Sequence, residues 1–368
     1  MERSGRSAPA LHDDGDLRSL YEREGPFVTI LANRSEVMPR YVASEAQLVR
    51  DVVAGELPEA VVDEILESVQ TAFVETEATV VVADGSGVVL VEHLPTSLRR
   101  ETIVVGSLPA LSPVVEHRQA AIPFIVVVVD RRGADLFWSD ADSTGSTSVS
   151  GDETFIRKVQ AGGWSHRTFQ QRAENTWDHT ARDVADEVER LATKMDPRLI
   201  AVAGDIRMTE MLRKHLPAQA AALVREVSGG RSDDGSADHR DTEIRRWVRT
   251  AIAEDTVAAL RLFDQERGQL DRAADGAEAT FEAIRQARVD TLLIHDDAST
   301  QRTAFFVRDE PTLVALDERT LVDLGRTRAR TARLADVAIR ACVLTSAGIR
   351  VVPSAETLNE GIGAILRW

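Results

Sequence analysis

A chain of 368 residues with 43% hydrophobic content is long enough for two or three domains, each with a core of its own. Its formal charge of -16 repels phosphate on average and argues against nonspecific wrapping of nucleic acid, so an RNA contact has to come from a local basic patch.

The leader "MERSGRSAPALHDDGDL" lacks the apolar segment of a signal peptide, and no later run has the length of a bilayer span, which makes the cytoplasm the expected compartment. "LRSLYE" reads as a short helix and "PFVTILAN" as a buried strand between Pro26 and Asn33. "SEAQLVRDVVAGEL" and "PEAVVDEILESVQTAF" have helical period, with a break near Gly55 and Pro58 suited to a first turn. "ATVVVADGSGVVLVEHL" predicts a hairpin; a strand follows Asp84-Gly85-Ser86-Gly87, so these glycines read as turn chemistry rather than a phosphate cradle. "LPALSPVVEHRQA" closes a first α/β domain, residues 1–118.

"IPFIVVVVDRRGADLFWSD" predicts two strands around a turn at Arg131 to Gly133, and "SDADSTGSTSVSGDE" a loop or mobile hairpin tip. A short strand, the glycine pair of "AGGWSH" and a long helix ending near Met195 and Pro197 follow, then the strand "RLIAVAGD" and the helix "MTEMLRKHLP". The polar run "SGGRSDDGSADHRD" reads as a linker after a central mixed-sheet domain, residues 119–230. The third domain, residues 240–368, opens with the helical "TEIRRWVRTAIAEDTVAALRLFDQERGQ", continues as helix and strand in "GAEATFEAIRQARVDTLLIHDD", and ends as helix, strand, short helix or turn, and strand. Alternation of helices with buried strands gives an α/β (α+β) fold class with a layered α/β/α carboxy-terminal domain. The single cysteine, Cys342, lies in the apolar run "VAIRACVLTSAGI"; it reads as core and fits a reducing compartment.

Ordinary enzyme signatures are missing: there is no Walker A loop, no strand-borne Gly-x-Gly-x-x-Gly, no Gly-x-Ser-x-Gly and no His-Glu-x-x-His. His295, Asp296 and Asp297 share a strand end and could ligate a metal, but adjacent carboxylates point to opposite faces of a strand, so a solvated strand end is expected. His166 and His179 have no ligand spacing, and neither a metal nor a cofactor is expected. The region around Gly162 and Gly163 differs. Arg157, Lys158, Arg167 and Arg172, with His166, form a stretch without acids, and acids resume on the helix behind it. That segregation aims positive charge at a polyanion. The glycines permit close main-chain approach to a partner, and Trp164 beside them would stack on a base or anchor in a pocket. The alternative is a turn in which Trp164 folds back on the helix.

"AGGWSHRTFQQRAENTWDHTARDVADEV" resembles the central-domain motif of the archaeal and eukaryotic class I peptide-chain release factor superfamily, which includes Pelota. There Gly-Gly-Gln-Ser precedes a basic, Phe-bearing, Arg-rich helix. Gly162, Gly163 and Ser165 match, Phe169 and Arg172 fit the helix, and Trp164 replaces the glutamine. "LIAVAGDIRMTEMLRKHLP", "GAEATFEAIRQARVDTLLIHDD" and the closing "NEGIGAILRW" resemble later segments of the superfamily in the same order. No Asn-Ile-Lys-Ser motif occurs in the first domain, so stop-codon reading is not implied. The resemblance implies binding to the 70S ribosome in the A site, rRNA contacts from Arg157, Lys158, Gly162 to Arg167 and Arg172, and a tip in the peptidyl-transferase centre. It is closest to a bacterial, Balon-like hibernation branch that lacks the glutamine and is delivered by an EF-Tu-like GTPase; membrane and DNA are not implied partners. Tryptophan cannot orient water as a carboxamide does, so binding without hydrolysis is expected. The alternative is a ribosome-rescue peptidyl-tRNA hydrolase or peptide-chain release factor whose candidates are Trp164, Ser165, His166 and Gln170, with Arg167 stabilising charge. A third reading is a stress protein that keeps the fold as an interaction scaffold.

Overall fold

The computed structural model describes residues 16–33, 47, 49–53, 55–72, 77–98, 100–140, 143–150, 165–231, 236–269, 272–296 and 302–368, and of residues 70–72, 165–174 and 236 the backbone alone. They form two compact units: Met1–Gln119 with Asp255–Trp368, and Ala120–Glu254. Among the described residues no helix is long and apolar enough to cross a membrane.

The first unit begins with helix α1 (Asp16–Glu22), strand β1 (Phe27–Asn33), helix α2 (Glu59–Ala72), strands β2 (Ala78–Asp84), β3 (Gly87–Leu94) and β4 (Thr102–Gly106), and helix α3 (Ser112–Arg118). The strands form an antiparallel sheet of order β3-β2-β1-β4. Alternation sorts its residues: Val28, Ile30, Val81 and Ala83 meet Val61, Val62 and Ile65 of α2, while Phe27, Leu31, Val80 and Val82 face the other way. The hairpin predicted at Gly85-Ser86 is present, and Asp84 closes it by accepting from Ser86 N (2.8 Å) and from Arg23 Nε (2.6 Å).

The second unit holds strands β5 (Phe124–Asp130), β6 (Gly133–Ser139) and β7 (Thr144–Ser150), helix α4 (Ser165–Met195), strand β8 (Leu199–Gly204), helices α5 (Ile206–His215) and α6 (Ala218–Leu223), and strand β9 (Val224–Glu226). Helix α7 (Ser236–Gln269) starts in this unit. The mixed sheet has order β7-β6-β5-β8-β9, antiparallel from β7 to β5 and parallel from β5 to β9. Gly133 (φ +148°) opens β6, where a Cβ would collide with the Val149 carbonyl. One face packs on α4 through Ala181, Val184, Ala185, Val188 and Leu191, and on α5 through Met208 and Leu212. The other meets Ile244, Trp247 and Val248 of α7.

Two expectations are corrected here. Thr144–Ser150, read as loop or mobile tip, is an edge strand: exposed and half-buried residues alternate along it, and all seven pair with β6. Its Ser and Thr residues hide the strand because they supply no apolar period. The polar run read as a linker is helical from Ser236. Ahead of that helix, Arg231 holds Asp130 (3.1 Å) and Asp135 (2.8 Å), which ties the run to the sheet.

The chain then returns to the first unit with strand β10 (Ala273–Asp275), helix α8 (Ala277–Arg285), strands β11 (Val289–Ile294), β12 (Thr303–Val307) and β13 (Glu310–Ala315), helix α9 (Glu318–Asp323), strand β14 (Ala329–Arg333), helix α10 (Leu334–Leu344) and strands β15 (Gly348–Val351) and β16 (Ile362–Leu366). One sheet has order β10-β16-β11-β15, with only β11 and β15 parallel, and β13-β12-β14 form a separate antiparallel sheet. Helix α10 is buried from Leu334 to Val343, its two charged residues Asp336 and Arg340 included. Its Val337 and Ile339 share one core with Leu17, Tyr21, Phe27, Val82 and Val115, so both ends of the chain build the same interior. Gln119 fastens them: its amide nitrogen donates to Val351 O and its amide oxygen accepts from Val351 N, each at 2.8 Å.

Candidate functional site

Register fixes the edge of the sheet at which β7 ends. Asp130 faces Gly133, Gly133 faces Ser150, and Val129 faces Gly204, so β5, β7 and β8 all end at the same edge of the sheet. Residues 151–164 join that end of β7 to the first turn of α4 and lie outside the described residues; Arg157, Lys158, Gly162, Gly163 and Trp164 fall among them, as does the short strand expected ahead of the glycines. Ser165, His166, Arg167, Phe169, Gln170 and Arg172 occupy the opening turns of α4.

Helix α4 reaches the sheet edge at Trp177. The Arg131 guanidinium, in the β5–β6 turn, lies 4.6 Å from the centre of the Trp177 ring, and Arg131 Nε donates to Asp205 Oδ2 at 3.1 Å. Asp205 is the N-cap of α5 and accepts from Arg207 N (3.0 Å) and Met208 N (3.4 Å). The next residue of α4, Asp178, contacts His215 Nε2 at the other end of α5, at 2.8 Å. The His215 bond holds the Asp178 carboxyl below its usual range. Two adjacent residues thus clamp the helix where its apolar stripe begins. Twelve residues of α4, Ser165 to Thr176, precede this clamp, and at ~1.5 Å per residue they amount to about 18 Å of helix. Phe169 and Ala173 are their only apolar side chains, so the sequence gives them no stripe to bury.

At the clamp the arginines are paired with carboxylates. Arg131 is paired with Asp205, and Arg231 with Asp130 and Asp135. The Arg231 bond draws the Asp135 carboxyl below its usual range. Cations at the root are therefore spent on local carboxylates, while the sequence from Arg157 to Arg172 has no acid to spend its cations on.

These residues lie within residues 123–269, which match the family described as bacterial archaeo-eukaryotic release factor family 2. The match begins at Pro123, just before β5, and ends with Gln269, the last residue of α7, so it takes in all the strands of the second unit and the clamp. Over 367 residues the whole chain is similar, at 25% identity and 96% coverage of both chains, to the uncharacterized protein Rv2629 of Mycobacterium tuberculosis. Among solved structures it is similar to Pelota of Archaeoglobus fulgidus, at 13% identity, 100% of this chain, 98% of that chain and a TM-score of 0.39. It is also similar to Saccharomyces cerevisiae Dom34, a translation termination-like factor, at 11% identity, 76% of this chain, 74% of that chain and a TM-score of 0.40. Within the matched segment residues 162–165 read Gly-Gly-Trp-Ser.

Outside this segment, the first unit holds a cavity of about 240 Å³ lined by His295, Asp296, Arg302, Arg333, Glu360 and Gly361, among others. It corrects the solvated strand end expected at His295 and Asp296. Asp296 accepts from Ser112 Oγ and from Arg333 Nη2, and its side chain is 8% exposed. His295 Nδ1–H donates to Val352 O at 3.0 Å. Arg333 also reaches Asp336, whose carboxyl burial pushes up to about 8. Among the described residues no three His, Cys, Asp or Glu side chains group to hold a metal, and Asp297 lies outside them. Ser112 is 184 positions from Asp296, so this pairing left no trace in local sequence.

Proposed function

We propose that the protein binds the ribosomal A site as a noncatalytic hibernation factor in the cytoplasm, with Gly162, Gly163 and Trp164 directed at the peptidyl-transferase centre. The family match over residues 123–269, which contain Gly-Gly-Trp directly ahead of α4 in sequence, carries the reading. The clamp at Trp177 and Asp178 supports it, because a helix held at its root is a lever for whatever its first turn presents. Arg157, Lys158, Arg167 and Arg172 supply phosphate contacts that an acidic body otherwise denies. Trp164 fills the water-placing position with an indole, which has one N–H donor and no acceptor. The reading includes delivery by an EF-Tu-like GTPase. Pelleting purified 70S ribosomes with the protein tests it: cosedimentation at near-stoichiometric amounts is expected, and a protein left wholly in the supernatant sinks the proposal.

A hydrolytic reading draws on α4 starting at Ser165, immediately after Trp164, because the unpaired N–H groups of a helix start suit a developing oxyanion. Ser165, His166 or Gln170 would then place the water. Release of labelled peptide from stalled nascent-chain complexes separates the two readings.

A further inference from the structure

Within α7 the stretch Ile244–Ala253, "IRRWVRTAIA", carries three arginines and a tryptophan without an acid. Ile244 is buried against Val126, Val128, Ala201 and Ala203, which fixes one side of the helix on the sheet. At 3.6 residues per turn, Arg245 and Arg249 then stack one turn apart on a flank, and Arg246 falls on the outer side. All three are exposed. Trp247 is half-buried, with the Arg225 guanidinium 5.5 Å and the Arg246 guanidinium 6.0 Å from its ring centre. Arg225 is steadied by bonds from Nη1 to Ala222 O (3.1 Å) and Val224 O (3.0 Å).

The nearby acids have partners of their own, Asp241 facing Arg240 at 3.6 Å, although Glu243 also attracts Arg246. Glu243 accepts from Ser228 N at 2.5 Å, and Glu226 faces Arg213 at 3.5 Å. Arg245 and Arg249 have no ion-pair partner among the described residues. Uncompensated guanidinium groups on a protein of charge -16 mark a surface kept for an anion. Every cation of the patch is arginine, whose fork suits phosphate oxygens, and the Trp247 ring between two of them offers a stacking plane.

We propose that Arg245, Arg246 and Arg249, exposed on the outer side of α7, form an RNA-backbone contact surface on the second unit, bordered on the Arg246 side by Trp247 and Arg225 and distinct from the basic stretch at 157–172. This surface stands whether or not the Gly-Gly-Trp tip enters the ribosome.

Fluorescence anisotropy of a labelled 20-base-pair RNA hairpin, titrated with the full chain across a salt series, tests it. Arg245→Glu with Arg249→Glu is expected to weaken binding by about 30-fold or more at 0.15 M salt and to lower the slope of log affinity against log salt by about 2. Arg182→Glu with Arg190→Glu, on α4, changes net charge equally and is expected to leave the slope unchanged. Equal loss in both pairs, or no hairpin binding by the unaltered protein, overturns the proposal. Polyglutamate binding lost in the α7 pair while hairpin binding persists overturns it in favour of an acidic protein. Arg245→Gln with Arg249→Gln repeats the test if the reversed pair does not fold. Ribosome pelleting of the unaltered protein is scored separately: hairpin binding without pelleting leaves this surface intact and removes the A-site reading.

Discussion

Arg131 and Trp177 stand 4.6 Å apart, guanidinium over indole, at the edge of the sheet where α4 begins its apolar stripe. A contact of this kind is worth about 0.5–1 kcal/mol at a partly exposed site. Arg131→Ala also removes the bond to Asp205, and urea unfolding is expected to show a loss of about 1–2 kcal/mol. Coupling with Trp177→Leu in a double-mutant cycle isolates the ring contact; zero coupling removes the clamp from the argument for a held lever.

Charge reversal at Arg167 and Arg172 is expected to cut cosedimentation with 70S ribosomes by at least about tenfold at 0.15 M salt and to flatten its salt dependence. An unchanged salt slope strikes both residues from the contact set.

Trp164→Gln recreates the Gly-Gly-Gln-Ser order of the superfamily. Stalled nascent-chain complexes are expected to keep their peptide with the unaltered protein and to release it with this variant. Release by the unaltered protein, abolished in Trp164→Ala, establishes the hydrolytic reading instead.

Asp336 gives the first unit a pH dependence whose sign is opposite to that of a salt-bridged carboxylate. Burial raises its pKa from 3.8 to about 8, so between those values the folded chain holds a proton that the unfolded chain gives up. Its contribution is fully present below about pH 4 and is lost as pH rises towards 8. Urea midpoints measured from pH 5 to pH 8.5 are expected to fall less steeply with pH in Asp336→Asn; parallel slopes refute the assignment.

Cys342 is 2% exposed, and burial pushes its thiol up to about 12. Iodoacetamide at pH 8 is expected to leave it unmodified in the folded chain and to label it fully in urea, so labelling reports opening of the shared core.

What the sequence revealed depended on whether a partner was local. Apolar period alone marks "FIVVVVD" as β5 and "ADVAIRACVL" as the body of α10, and both are buried elements. The strand Thr144–Ser150 exists because β6 offers seven pairing positions, a fact that "TGSTSVS" does not encode. Asp296 looked solvated because its arginine and serine lie 37 and 184 positions away. At the candidate site the basic stretch and the glycine pair were legible as composition, whereas the clamp was not. Arg131, Trp177, Asp178, Asp205 and His215 are ordinary in sequence and meet only because β5, α4 and α5 are layered.

The core shared by α1, β1, β2, α3 and α10 also orders the birth of the molecule. Ribosomes release the chain from its amino end, so the second unit, Ala120–Glu254, has all its strands in hand while the first still lacks β11, α10 and β16. During that interval Phe27, Leu31, Val80 and Val82 have no α10 to cover them. A nascent chain stopped near residue 270 is therefore expected to offer chaperones the uncovered apolar face of its older end, while every strand of its younger half has already been made.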